Sequence, residues 1–112
     1  MQIRKTYKQV NPELLYAEIR DFALKQGVTL DEAKMETYAL PTDTSSFISR
    51  GTLSFSALAE EKKKECLRAH VVGSAKTETK LMLDVDEKLF PTEKATTLQT
   101  DLDFIFGAYE VK

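Results

Sequence analysis

The sequence predicts an α+β domain, a curved antiparallel sheet of five or six strands with an N-terminal helix packed on one face. Three observations carry this. A capped amphipathic segment lies at 12–26. Several later stretches alternate apolar and polar residues with period two, the pattern of a half-buried antiparallel strand. The chain has 112 residues, 42% of them apolar, which suffices for one core and one domain over 1–112.

Residues 2–10 read as extended. Asn11 then supplies an N-cap, Pro12 suits the first helical position, and Glu13 sits in the positive first turn. Val10 and Leu15 have the spacing of a hydrophobic staple. Leu15, Ile19, Phe22 and Ala23 share one helical face, Asp21 and Lys25 stand at i,i+4, and Gly27 closes the helix. These signals bound a helix at 12–26.

Residues 29–40 carry two signals. Thr29 and Glu32 have capping-box spacing, and Leu30 to Glu36 has good helix propensity. Met35, Thr37 and Ala39 alternate as in a strand. A short helical turn followed by a strand satisfies both, and Pro41 ends either element. Pro41 to Ser46 is a turn cluster.

Phe47 to Leu58 reads as a strand, with Phe47, Leu53, Phe55 and Ala57 on the apolar face. Gly51 falls on that face, where a bulge or a close helix would use it. Ala59 to Lys64 is charged enough for a hairpin tip. Leu67, Ala69, Val71, Gly73 and Ala75 continue the inward face, with Cys66, Arg68 and His70 opposite. Leu81, Leu83 and Val85 form the next strand, and Leu89-Phe90-Pro91 leads on.

The last apolar run supports two readings. Leu98, Leu102, Phe104 and Phe106 alternate with Gln99, Asp101 and Asp103, as in a strand. Ala95, Leu98, Leu102, Ile105, Phe106 and Tyr109 mark a helical face instead. Thr96, Thr97, Thr100, Asp101 and Asp103 are poor mid-helix residues, so the strand is preferred over 92–109, with a C-terminal helix as the alternative. The expected core is Leu15, Ile19, Phe22, Phe47, Leu53, Phe55, Leu67, Val71, Leu81, Leu83, Leu102 and Phe104.

Charge narrows the function classes. The net charge is −2, and the dense basic run Lys62-Lys63-Lys64 is flanked by Glu60, Glu61 and Glu65. That argues against nucleic acid, whose phosphates need clustered cations. No apolar run approaches the ~20 residues of a membrane span. The N-terminus lacks the apolar centre of a secretion signal. The single cysteine, Cys66, excludes an internal disulfide and fits a reducing, cytoplasmic setting.

No catalytic constellation is visible, and the sequence does not point to an enzyme. Cys66 and His70 lie four apart on a strand, about 13 Å, too far for a nucleophile and its base. Asp84/Asp86 and Asp101/Asp103 would share a sheet face if 79–87 and 96–106 paired. Oxygen ligands of that kind suit a hard cation, yet neither pair has the glycine of a calcium loop. A wet sheet face is the plainer explanation, so no metal and no cofactor is expected. Isolated glycines make no phosphate-cradling loop. Arg50, Arg68 and His70 share a face with Thr52, Ser54 and Ser56, which suits an anion or a partner less well than it suits solvent.

The opening, Gln2-Ile3-Arg4-Lys5-Thr6-Tyr7-Lys8-Gln9-Val10-Asn11-Pro12-Glu13-Leu14-Leu15, resembles the start of the START-like helix-grip (SRPBCC) superfamily: a strand, a sharp turn, then a helix. A run of antiparallel strands follows in both. The resemblance implies a sheet wrapped around a long C-terminal helix, with an apolar cavity between them for a lipid or other small ligand. A C-terminal strand would remove one wall of that cavity.

Two functional expectations follow. The first is non-enzymatic binding of an apolar small molecule between helix and sheet, on the aromatic residues Phe22, Phe47, Phe55, Phe104 and Phe106. The second is a protein-interaction or homo-oligomeric module that uses an open sheet face or edge.

Overall fold

The computed structural model describes residues 1–40 and 43–111. The elements run β1 (Gln2–Lys8), α1 (Pro12–Lys25), β2 (Thr29–Leu40), β3 (Asp43–Ala59), β4 (Lys62–Gly73), β5 (Glu78–Val85) and α2 (Thr92–Phe106), then a short 3₁₀ turn (Gly107–Tyr109). The α+β class holds. Five antiparallel strands form one open sheet in the order β1-β5-β4-β3-β2. Both helices lie on one face of it, which we call the inner face.

Helix α1 starts where its caps place it. Asn11 Oδ1 accepts the Glu13 amide at 2.8 Å, and Gly27 takes the left-handed φ of +86° that follows the last turn. Leu15, Ile19 and Ala23 are fully buried, Tyr16 nearly so, and Phe22 is half-buried.

Strands β4 and β5 keep the expected rhythm. Leu67, Ala69, Val71, Leu81, Leu83 and Val85 are buried, and the residues between them face the outer side. Residues 29–40 resolve as strand throughout, without the helical turn. Pairing with β3 over the whole length outweighs the local helix propensity of 30–36. The expected turn at Pro41-Thr42 lies outside the described residues, and β3 begins at Asp43 rather than Phe47. The hairpin tip narrows to Glu60-Glu61, because Ala59 already pairs with Lys62.

The C-terminal expectation is corrected. Residues 92–106 are helix, not strand. The threonines fit because their hydroxyls bond back to the preceding turn: Thr97 Oγ1 donates to Glu93 O at 2.8 Å and Thr100 Oγ1 to Thr96 O at 3.0 Å. Asp103 is held by Lys5 at 3.1 Å. Ala95, Leu98, Leu102 and Phe106 are buried, the helical spacing. Phe104 consequently points outward and is 90% exposed, and Phe47 is 52% exposed. Neither belongs to the core as expected; the other members of the expected core are buried, apart from half-buried Phe22.

Helices α1 and α2 run antiparallel. Lys94 Nζ reaches Gln26 O at 3.1 Å at one end, and Glu18 meets Asp101 further along. Helix α2 is fixed to β1 through Lys5 and through Phe106, whose ring meets Tyr7 edge-on at 5.9 Å.

Candidate functional site

The five aromatic candidates do not converge. Phe55 is fully buried on β3, one strand in from the β2 edge, and Phe106 is buried against Tyr7. Phe22 is half-buried, and Phe104 stands in solvent on the far side of α2. Phe47 alone reaches a surface depression, of about 290 Å³, with Asn11, Pro12, Glu13, Thr37 and Ser49. Between helices and sheet, Leu15, Leu53, Leu67, Leu83, Leu98 and Leu102 are fully buried.

The chemical candidates separate as well. Cys66 was expected on the wet face, but the ladder slips between Phe55 and Ser56, so that Phe55 pairs with Leu67 and Ser56 with Glu65. Cys66 is left over in this bulge and is buried, its Sγ donating to Phe55 O at 3.5 Å. Burial pushes its thiol above the ordinary value, the opposite of a reactive cysteine. His70 keeps to the outer face. It accepts at Nε2 from Arg68 Nε at 3.2 Å and meets Thr52 Oγ1 with Nδ1 at 3.4 Å. Ser54 and Ser56 are buried and cannot serve a surface site.

The aspartate pairs are split by α2. Asp84 accepts from Gln2 on the sheet, and Asp86 caps the turn to Lys88. Asp101 and Asp103 lie on the helix and face Glu18 and Lys5. Among the described residues, no group of three or more His, Cys, Asp or Glu side chains is placed to hold a metal.

One acid–base cluster, around Lys5, and one carboxyl pair, Glu18 with Asp101, instead join the helices to their neighbours. Burial would lower Lys5, but hydrogen bonds to Asp103 and to Glu110, at 3.1 and 3.2 Å, outweigh it and raise its pKa. Burial chiefly, helped by Glu110 and Asp103, also raises Tyr7, whose hydroxyl is buried with no hydrogen-bond partner among the described residues. The hydrogen bond to Asp101 raises Glu18, with burial adding to it. A proton on Glu18 therefore gives the Asp101 carboxylate a donor.

What the fold leaves open is the sheet itself. On the outer face, Arg4, Thr6, His70, Val72, Lys80 and Met82 line a shallow, acid-free depression of about 460 Å³. At the two edges the situation differs. The free edge of β1 is capped near its end: the Val111 amide donates to Thr6 O at 2.7 Å, and Tyr7 bridges Glu110. Strand β2 is the last in the order and, among the described residues, pairs with β3 alone. From Asp31 to Lys34, and again at Thr37 to Ala39, its residues are exposed; Met35 and Glu36 are half-buried. The ladder slips between Leu30 and Glu32 and runs evenly from Glu32 to Ala39. The sequence hid this edge because 30–36 mixes helix formers with alternation.

Comparisons with protein-family models, curated proteins and solved structures return no match.

Proposed function

We propose that this protein is an interaction module that works by extending its sheet at β2. One observation carries the reading: among the described residues a 12-residue edge strand pairs on one side only, while the opposite edge is capped near its end, at Thr6 and Tyr7, by the chain's own C-terminal segment. Unpaired amides and carbonyls along an edge are a template for another strand, and main-chain pairing of this kind is a recurrent mode of recognition. Exposed Tyr38 on β2 and Phe47 on β3 add apolar surface near its end.

Amide hydrogen exchange tests this. Exchange across 29–40 is compared between protein purified gently at high concentration and the same protein diluted to nanomolar. Slower exchange in the undiluted sample supports the reading. Equally fast exchange in both contradicts it.

A second reading keeps the apolar small molecule. The element order, a strand, a helix, a run of antiparallel strands and a last helix, is the order that the START-like resemblance implies, and this supports a ligand beneath α2. A bound mass in native spectra, with β2 exchange unchanged, would favour it.

A further inference from the structure

The edge also indicates which strand it takes. We infer that β2 pairs antiparallel with β2 of a second copy, about a two-fold axis at Met35, giving one continuous sheet of ten strands. This rests on the interaction reading above and names its partner.

Residues directly opposite in an antiparallel pair point to the same face. In a self-pair the residues facing each other must therefore both be even-numbered or both odd, which puts the axis on a residue. The evenly paired stretch of β2 is Glu32–Ala39, so the axis falls near its middle. On Lys34, the axis sets Lys34 against its own copy and Glu32 against Glu36. On Glu36, it sets two glutamates face to face. On Ala33 or Thr37, the pairing runs off the even stretch.

On Met35 the result is different. Lys34 faces Glu36 of the other copy twice, Glu32 faces Tyr38, and Ala33 faces Thr37. Seven residues from each copy engage, and no like charges are opposed. Lys34 and Glu36 already sit 3.1 Å apart on one strand, Lys34 largely in solvent and Glu36 half-buried, so Lys34 is free to exchange partners. Because the two-fold contact uses the β2 edge of both copies, pairing at β2 closes after two copies instead of continuing into a fibre. Strand pairing alone makes a small interface, so the dimer should form in the micromolar range.

Charge reversal in trans is the test. By sedimentation velocity, Lys34→Glu and Glu36→Lys should each weaken self-association about tenfold, because two attractive pairs become repulsive. An equimolar mixture of the two variants should associate as tightly as the wild type, since every cross-pair is complementary again. Within either variant the same-strand pair stays like-charged, so only pairing between copies explains the rescue. Oxidised Met35→Cys should form a covalent dimer and Lys34→Cys should not, because only the residue on the axis meets itself. Buried Cys66 does not compete.

A wild-type dimer that ignores both reversals overturns the inference. So does a wild type that stays monomeric at millimolar concentration. If β2 exchange nevertheless slows in a complex with a different protein, the interaction reading stands and only the second copy is excluded. If it slows nowhere, both fall.

Discussion

Gly51 sits in β3 under α1, and replacing it with alanine probes the contact that sets the helix on the sheet. A Cβ there would lie 2.6 Å from Tyr16 Cδ2, 3.1 Å from Tyr16 Cε2 and 2.9 Å from Met35 Cε. Ordinary contact begins near 3.4 Å, so the Tyr16 ring must retreat by close to 1 Å. Met35 is half-buried and flexible, and yields readily. Tyr16 is buried and belongs to a helix whose next turns, at Ile19 and Ala23, are fully packed, so it does not. Overpacking of this kind costs about 1–3 kcal/mol. Losing the glycine's freedom in the unfolded chain returns about 0.4–1 kcal/mol. Gly51→Ala is therefore expected to destabilise by about 1–2 kcal/mol, read as a lower urea midpoint at unchanged slope. In a Tyr16→Ala background the same substitution should be close to neutral, since the clashing ring is gone. A Gly51→Ala variant as stable as the wild type would show that Tyr16 does not hold its place over the glycine, as would an equal cost in both backgrounds.

Three further outcomes are expected. Tyr7→Phe removes a buried hydroxyl that has no hydrogen-bond partner among the described residues, so thermal unfolding should show it unchanged or more stable by about 1 kcal/mol; a clear loss would reveal a bond that the hydroxyl makes. Glu60 and Glu61 both hold positive φ, 52° and 67°, in a two-residue hairpin that favours Asn-Gly. Replacing the pair by Asn-Gly should stabilise by about 1–2 kcal/mol in urea titrations, and no gain would deny the strain. Glu18 has a raised pKa, so the folded state binds its proton more tightly than the unfolded chain does. Stability should then rise as pH falls from that raised value to 4.5 and gain nothing more below it. Relative to Glu18→Gln, whose amide donates at any pH, the wild type should lose about 0.5 kcal/mol or less on returning to neutral pH, because solvent screens a partly exposed group. A pH-independent difference between the two would contradict the pairing with Asp101.

Much of the fold was legible because local signals agreed with their setting. At 11–27, the cap, the staple, the apolar face and the closing glycine all act within one helix, and α1 forms as they direct. In β4 and β5, period two reports a face that the helices cover. At 92–106, composition pointed to strand while the packing made helix. The threonines that weakened the helix satisfy their hydroxyls on their own backbone, and Asp101 and Asp103 meet partners on α1 and β1. Those partners are 83 and 98 residues away in the sequence, from Glu18 to Asp101 and from Lys5 to Asp103, where no window of local pattern reaches. The same distance hid β1 beside β5. Cys66 moved from the wet face to the interior through a one-residue bulge, which shifts side chains without altering composition. The aromatic residues were legible as apolar but not as separate: the helical turn at 104–106 sends Phe104 to solvent and Phe106 to the core.

Native mass spectrometry of protein purified gently from cells shows whether the protein works through its open edge. The expected spectrum contains protein–protein species without added small-molecule mass, the dimer foremost. A monomer carrying a non-covalent small ligand would contradict the claim and return the function to the space between helix and sheet.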